Sequence, residues 1–214
     1  MSREIDALDD HRFAADLAAA AGDLLLTVRR SGVLPEAALG DTGDALAQQL
    51  LGRALTAHRP GEAVLSEEAA DQHERLAARK VWIIDPLDGT REYREGRHDW
   101  AVHVAVAHDG VPGPAAVALP GRDLVLSTAT PPVVPPRAAG ELRLAVSRSR
   151  APELVSQIAG RLDADLIPMG SAGYKAMAYN RENPYLPDLL ICRPEYAERL
   201  LGAVAAAGAP QAVA

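Results

Sequence analysis

The 214-residue chain is poor in cysteine, in lysine and in long apolar runs. Its one cysteine, Cys192, can neither close an intramolecular disulfide nor build a cysteine zinc cluster, which excludes a disulfide-stapled scaffold and a zinc finger. Basic residues number 22 against 29 acidic ones, a net charge of −7, so the clustered positive charge that holds a nucleic-acid backbone is missing. Only two of those 22 are lysines, Lys80 and Lys175. The segment MSREIDALDDHR is acidic and polar, without the apolar core of a secretory signal. The longest greasy stretch near it, LAAAAGDLLL, is broken by Asp23 and falls short of the roughly 20 apolar residues that span a bilayer. These absences predict a soluble, cytoplasmic protein with neither a nucleic acid nor a membrane as partner.

What is present is material for a core: 48% of the residues are hydrophobic, and the length suits one domain or a tightly joined pair. From Asp9 to Arg30, Phe13, Leu17, Leu24 and Leu25 recur near helical spacing, which predicts an amphipathic helix ending at Ser31-Gly32. LGDTGD reads as a turn, followed by a second helix with Leu46, Leu50, Leu51 and Leu55 on one side and Pro60-Gly61 closing it. Five β-type runs come next, at 63–66, 81–84, 100–107, 114–120 and 124–128. In the third, WAVHVAVA, alternation puts Val102, Val104 and Val106 on one face, as in a half-buried strand. TPPVVPPR at 130–137 reads as a connector. Beyond it strand LRLAV, a helix over 151–162, strand DLIPM, a helix over 171–179, strand DLLIC and a helix from about Glu195 alternate as βα units. The expectation is a layered α/β protein: an N-terminal α+β half with an antiparallel sheet over 1–130, and a smaller α/β half over 138–214.

The most informative segment is VWIIDPLDGTREY, 81–93. A buried strand delivers Asp85 at its end, Pro86 turns the chain, and Asp88 precedes Gly89-Thr90, which opens a helix. The two carboxylates can converge on one point, and hard divalent cations take oxygen ligands, the Leu87 carbonyl included. The Gly89 and Thr90 amides at a helix start suit a phosphate. The same string also reads as an Asp-Pro turn with an Asp cap. Two further acidic groups tilt the balance toward a Mg²⁺ site: Glu67-Glu68 after strand AVLS, and Asp41 and Asp44 at the mouth of the second helix, which equally fit a helix cap.

SEE at 66–68 followed by WIIDPLDGT at 82–90 resembles the paired signature of the inositol monophosphatase family of Mg²⁺-dependent, lithium-sensitive phosphatases. The resemblance continues through DWAVHVAV, PAAVALP, AVSRSR and GSAGYKAMA, from about Asp41 to Ala178. It implies a sugar-phosphatase-like αβαβα sandwich, with metal held by the N-terminal half and substrate by the C-terminal half. DGTREY and SRSR at 147–150 are most similar to the CysQ-like 3′(2′),5′-bisphosphate nucleotidase branch, with Arg150 where a histidine is usual. The implied activity is removal of the 3′-phosphate of adenosine 3′,5′-bisphosphate or its sulfated analogue. Inositol monophosphatase and, less closely, fructose 1,6-bisphosphatase are the alternatives within the same chemistry.

By position, the resemblance makes Glu67, Asp85 and the Leu87 carbonyl ligands of one Mg²⁺ ion and gives Asp85 and Asp88 a second, in a site of two or three. Asp44 and Thr90 orient the attacking water, with Glu67 beside them in the catalytic set. Asp88, Gly89, Thr90, Ser147, Arg148, Gly170, Ser171 and Lys175 meet the substrate. His98, His103 and Cys192 read as structural or surface residues. The family resemblance allows a homodimer, although no stripe in the sequence marks its interface.

The family's Trp-Asp-x-Ala string near the C-terminus has no copy here. Pro194-Glu195-Tyr196-Ala197 occupies the corresponding place, so Glu195 is the expected last metal ligand, with Asp188 as its rival and an ordinary first-turn acid as the other explanation. The chain is also short for the family, with losses expected around the proline connector and RENPYLPD. Those departures raise a reading of another class, a relative that has lost turnover and persists as a binding protein.

Overall fold

A computed structural model describes residues 9–71, 73–131, 133, 142–148, 153–169 and 197–207. The described residues divide into two compact units, one over 9–133 and the other made of the stretches from 142 to 207.

The first unit opens with two long helices, α1 (Asp10–Ser31) and α2 (Glu36–His58). Asp9 caps α1 by accepting the Arg12 amide hydrogen at 2.8 Å, which satisfies one of the donors a helix start leaves open. The second helix does not wait for the LGDTGD segment to end, as the sequence reading expects. That segment lies inside α2, because Gly40 and Gly43 serve contact there instead of a turn (below).

Five strands follow: β1 (Ala63–Ser66), β2 (Lys80–Asp88), β3 (Ala101–His108), β4 (Val111–Leu119) and β5 (Leu124–Ser127). They form one sheet in chain order, β1 parallel to β2 and every other neighbour antiparallel. Between β1 and β2 a short 3-10 turn, His73–Ala77, carries Arg75, whose buried guanidinium donates from Nε and Nη2 to the two carboxylate oxygens of Asp71 at 2.6 and 2.9 Å. Between β2 and β3 lies the five-residue helix α3 (Thr90–Arg94).

Both helices lie on one face of the sheet. Phe13, Leu17, Leu25, Leu51 and Leu55 meet Trp82, Ile84, Val102, Val104 and Val106 there in a single apolar cluster. The three valines therefore share a face, as their alternation predicts. The opposite face of β3 is buried too: Ala107 joins Leu65, Val81 and Ile83 in a second cluster, and His103 and Ala105 are covered. A strand buried on both sides holds apolar residues at every position, so alternation alone cannot reveal the second cover.

The second unit holds β6 (Leu142–Ser147), α4 (Glu153–Leu162), β7 (Ala164–Met169) and α5 (Ala197–Ala206). β6 and β7 pair in parallel, as a βαβ connection requires. Ile158 and Leu162 of α4 pack with Leu200 and Ala203 of α5. The predicted helix over 171–179 and strand DLLIC lie outside the described residues. Across the described residues no helix is long and apolar enough to cross a membrane. The fold is thus a mixed α/β one, with a mostly antiparallel five-stranded sheet and a smaller parallel βα unit, as expected.

Candidate active site

Asp85 and Asp88 lie inside β2 and not on a turn after it, because the strand continues through Pro86 with a break of register against β3 between them. The break matters chemically. Residues three apart on a regular strand face opposite sides of the sheet, and one extra residue in the ladder returns the second to the side of the first. Asp85 is the cross-strand partner of His103, and Asp88 Oδ2 lies 3.2 Å from Nε2 of the same histidine, so both carboxylates border one imidazole. Leu87 is sent the other way, into the cluster beneath α1 and α2.

Gly89 follows with φ +90°, a backbone that a side chain disfavours, and this turn starts α3 at Thr90. α3 is pressed onto α2 at two glycines. A Cβ on Gly40 would stand 2.9 Å from Thr90 Cγ2, and one on Gly43 would stand 2.9 Å from Tyr93 Cε1 and 3.2 Å from Leu87 Cδ2. The side without a side chain lets the backbones approach, and the next residue, Asp44, meets Thr90: Oγ1 donates to Asp44 Oδ2 at 3.0 Å and also lies 3.1 Å from the Leu87 carbonyl oxygen. Tyr93 locks the arrangement from behind, donating its hydroxyl to the Leu25 carbonyl at 2.8 Å and standing edge-on to Trp100.

Asp44, Asp85 and Asp88 are all buried, whereas Glu67 and Glu68 are exposed just past β1. Burial pushes the Asp44 carboxyl up to about 7; the Thr90 hydrogen bond opposes the rise, and the charges of Glu68, Glu67 and Asp41 add to it. The acidic groups of α2 and of the segment just past β1 therefore feel one another. Among the described residues, no three Asp, Glu, His or Cys side chains stand together closely enough to hold a metal ion as placed. The donors are nonetheless of the type a hard cation takes, all oxygens, and their mutual repulsion is the condition that a divalent ion relieves.

Ser147 and Arg148 are exposed at the carboxyl end of β6, the end of a parallel strand where ligands usually bind. Gly170, Ser171, Lys175, Asp188, Cys192 and Glu195 lie outside the described residues. His98 is exposed, as read from the sequence. His103 is buried, in keeping with its reading as a structural residue, and is the one polar side chain in an otherwise apolar run from Ala101 to Ala107.

The model of the inositol monophosphatase family matches residues 11–131. A 3′-phosphoadenosine 5′-phosphate phosphatase of Mycobacterium leprae is 40% identical over an alignment covering 92% of this chain and 94% of that protein. One of Mycobacterium tuberculosis is 43% identical, covering 86% and 89%. The first alignment runs over 258 positions, more than the chain has residues, so parts of that relative have no counterpart here. Inositol monophosphatase II of Staphylococcus aureus superposes with a TM-score of 0.63 at 18% identity, over 75% of this chain and 66% of that one, a likeness of fold. With the DPLDGT strand, the acidic pair after β1 and this agreement over most of its length, the chain belongs to the inositol monophosphatase family.

Proposed function

We propose that the protein is a Mg²⁺-dependent phosphomonoesterase that removes the 3′-phosphate of adenosine 3′,5′-bisphosphate, leaving the 5′-monophosphate. The observation that carries this is the Asp44–Thr90 contact beside the buried pair Asp85 and Asp88, in a chain 40–43% identical to proteins named for that activity. Asp85, Asp88, Glu67 and the Leu87 carbonyl would hold Mg²⁺, with Glu195 as the further carboxylate. Bound there, the metal neutralises the phosphoryl oxygens and lowers the pKa of water.

The chain's own residues do the rest. The Thr90 hydroxyl has one hydrogen and two acceptors in reach, Asp44 and the Leu87 carbonyl. When that carbonyl is engaged elsewhere, the hydrogen is left to Asp44. The hydroxyl oxygen then accepts a hydrogen bond from the attacking water; as the water attacks, its proton passes to Thr90 Oγ1 while the hydroxyl proton passes to Asp44. The amides of Gly89 and Thr90 receive the phosphate; α3 has only five residues, so this rests on the N–H groups of the turn more than on a helix dipole. Ser147 and Arg148, with Gly170, Ser171 and Lys175, serve the nucleotide side. Phosphate release from adenosine 3′,5′-bisphosphate with Mg²⁺, set beside inositol 1-phosphate, tests the reading; a clear preference for the inositol ester overturns it.

One observation favours a second reading, a member without turnover that binds its ligand: the relative's segments that have no counterpart here. Turnover that disappears in Asp85→Asn rejects it, and equal turnover in both proteins marks the activity as contamination.

A further inference from the structure

His103 is one of the largest fully buried side chains of the first unit, and the mechanism above does not use it. It sits in the middle of β3, on the sheet face opposite the valines that meet the helices. Its Nε2 is 3.2 Å from Asp88 Oδ2, a carboxylate 15 residues back along the chain and itself buried. A carboxylate oxygen has only lone pairs to offer, so the proton between them belongs to Nε2. The other ring nitrogen, Nδ1, is buried and meets no hydrogen-bond partner.

That combination is a poor solution if the residue serves packing alone. Every other position from Ala101 to Ala107 is filled by alanine or valine, which fit a two-sided core without leaving a polar atom unsatisfied. The polar atom that is satisfied faces Asp88, across the very break of register that brings Asp88 to the side of Asp85. A hydrogen bond to Oδ2 restricts the carboxylate's rotation and leaves Oδ1 out of that contact.

We propose that His103 is a positioning residue for the metal site: by donating from Nε2 to Asp88 Oδ2 it presets Asp88 to present its other oxygen to Mg²⁺. The inference rests on the reading of Asp88 as a metal ligand. Groups that orient metal ligands in this way typically change metal affinity by about 10–100-fold when removed.

Two amides of different reach make the test. Glutamine can place its N–H₂ near where Nε2 stands, whereas asparagine ends near Nδ1 and falls short of Asp88. Calorimetric titration of the full chain with Mg²⁺ alone, without substrate, should show His103→Asn and His103→Leu binding about 10–100-fold more weakly than wild type, and His103→Gln within about threefold of it. In steady-state assays the Mg²⁺ concentration for half-maximal rate should shift far more than KM for the nucleotide. Asparagine and glutamine variants that bind Mg²⁺ alike, both folded by circular dichroism, overturn the inference. Should the variants fail to fold, nitrogen-15 spectra of histidine-labelled wild type decide it: a proton on Nε2 of His103 supports the assignment, and a proton on Nδ1 alone overturns it. Asp85→Asn separates the two levels. If it retains Mg²⁺ binding and turnover, the metal reading falls and this inference with it; if it loses both while all His103 variants match wild type, only this inference falls.

Discussion

Asp10 and Asp44 are the same residue on adjacent helices, and their surroundings drive them in opposite directions. Burial raises the carboxyl of Asp10, but Lys80 at 2.8 Å and Arg59 at 3.2 Å outweigh it, and the group ends below its ordinary value. Lys80 also reaches Glu62 at 2.8 Å, and Glu62 accepts the Trp82 indole N–H, so the start of β2 is tied to α1 and to the approach of β1 by matched charges. At the far end of the same strand, Asp44 has one hydroxyl in its favour and three acidic neighbours against it. The first cluster completes itself from the protein. The second leaves negative charge for something else to neutralise, which is how a binding site differs from a structural ion pair.

The contrast can be tested by breaking each side. The largest effect is expected from Asp85→Asn, which should take phosphate release from adenosine 3′,5′-bisphosphate to the background of the assay. Next comes Asp44→Asn, expected to lower kcat by about 10²–10⁴-fold, the range for a positioned base. In the metal-free protein at neutral pH the same change should raise Tm, because it removes a charge that burial and Glu67, Glu68 and Asp41 disfavour. A lowered Tm would show that the acidic end is not under strain.

On the structural side, Gly43→Leu should lower stability by about 1–3 kcal/mol through overpacking against Tyr93 and Leu87, and kcat should fall with it as α3 is pushed off Asp44. Asp10→Asn should lower Tm while leaving kcat of the folded enzyme unchanged.

The pH profiles of metal-free melting should carry opposite signs, a smaller effect. For Asp10, whose folded carboxyl lies below the ordinary 3.8, the stabilisation is present above that value and fades as pH falls beneath it. For Asp44, the folded protein binds a proton that the unfolded chain releases between 3.8 and about 7, so its penalty is absent below 3.8 and grows as pH rises toward 7. The difference in Tm between wild type and each Asn variant, followed from pH 3 to 8, checks both.

Much of this site could be read from the string itself. DPLDGT names two carboxylates and a hydroxyl by type and spacing, and the apolar run before it marks a buried strand. LGDTGD was harder, because two glycines among polar residues have the composition of a turn. Only contact with Thr90, Tyr93 and Leu87 shows that their bare Cα atoms are wanted inside a helix. What His103 meets was obscured for a related reason, since alternation in β3 reports one covered face and says nothing of what lies across the other.

Sequence alone therefore determined the chemistry available: an acidic, lysine-poor α/β chain whose carboxylates accompany its strand-forming runs and whose motif resembles a phosphatase family. Local periodicity and residue type suffice for that, because each concerns near neighbours. Tertiary structure decided which of those groups meet. Thr90 reaches Asp44 across 46 residues, and His103 reaches Asp88 across a break of register. Such meetings depend on how closely two backbones approach, and that is settled by the packing of side chains distant in the chain.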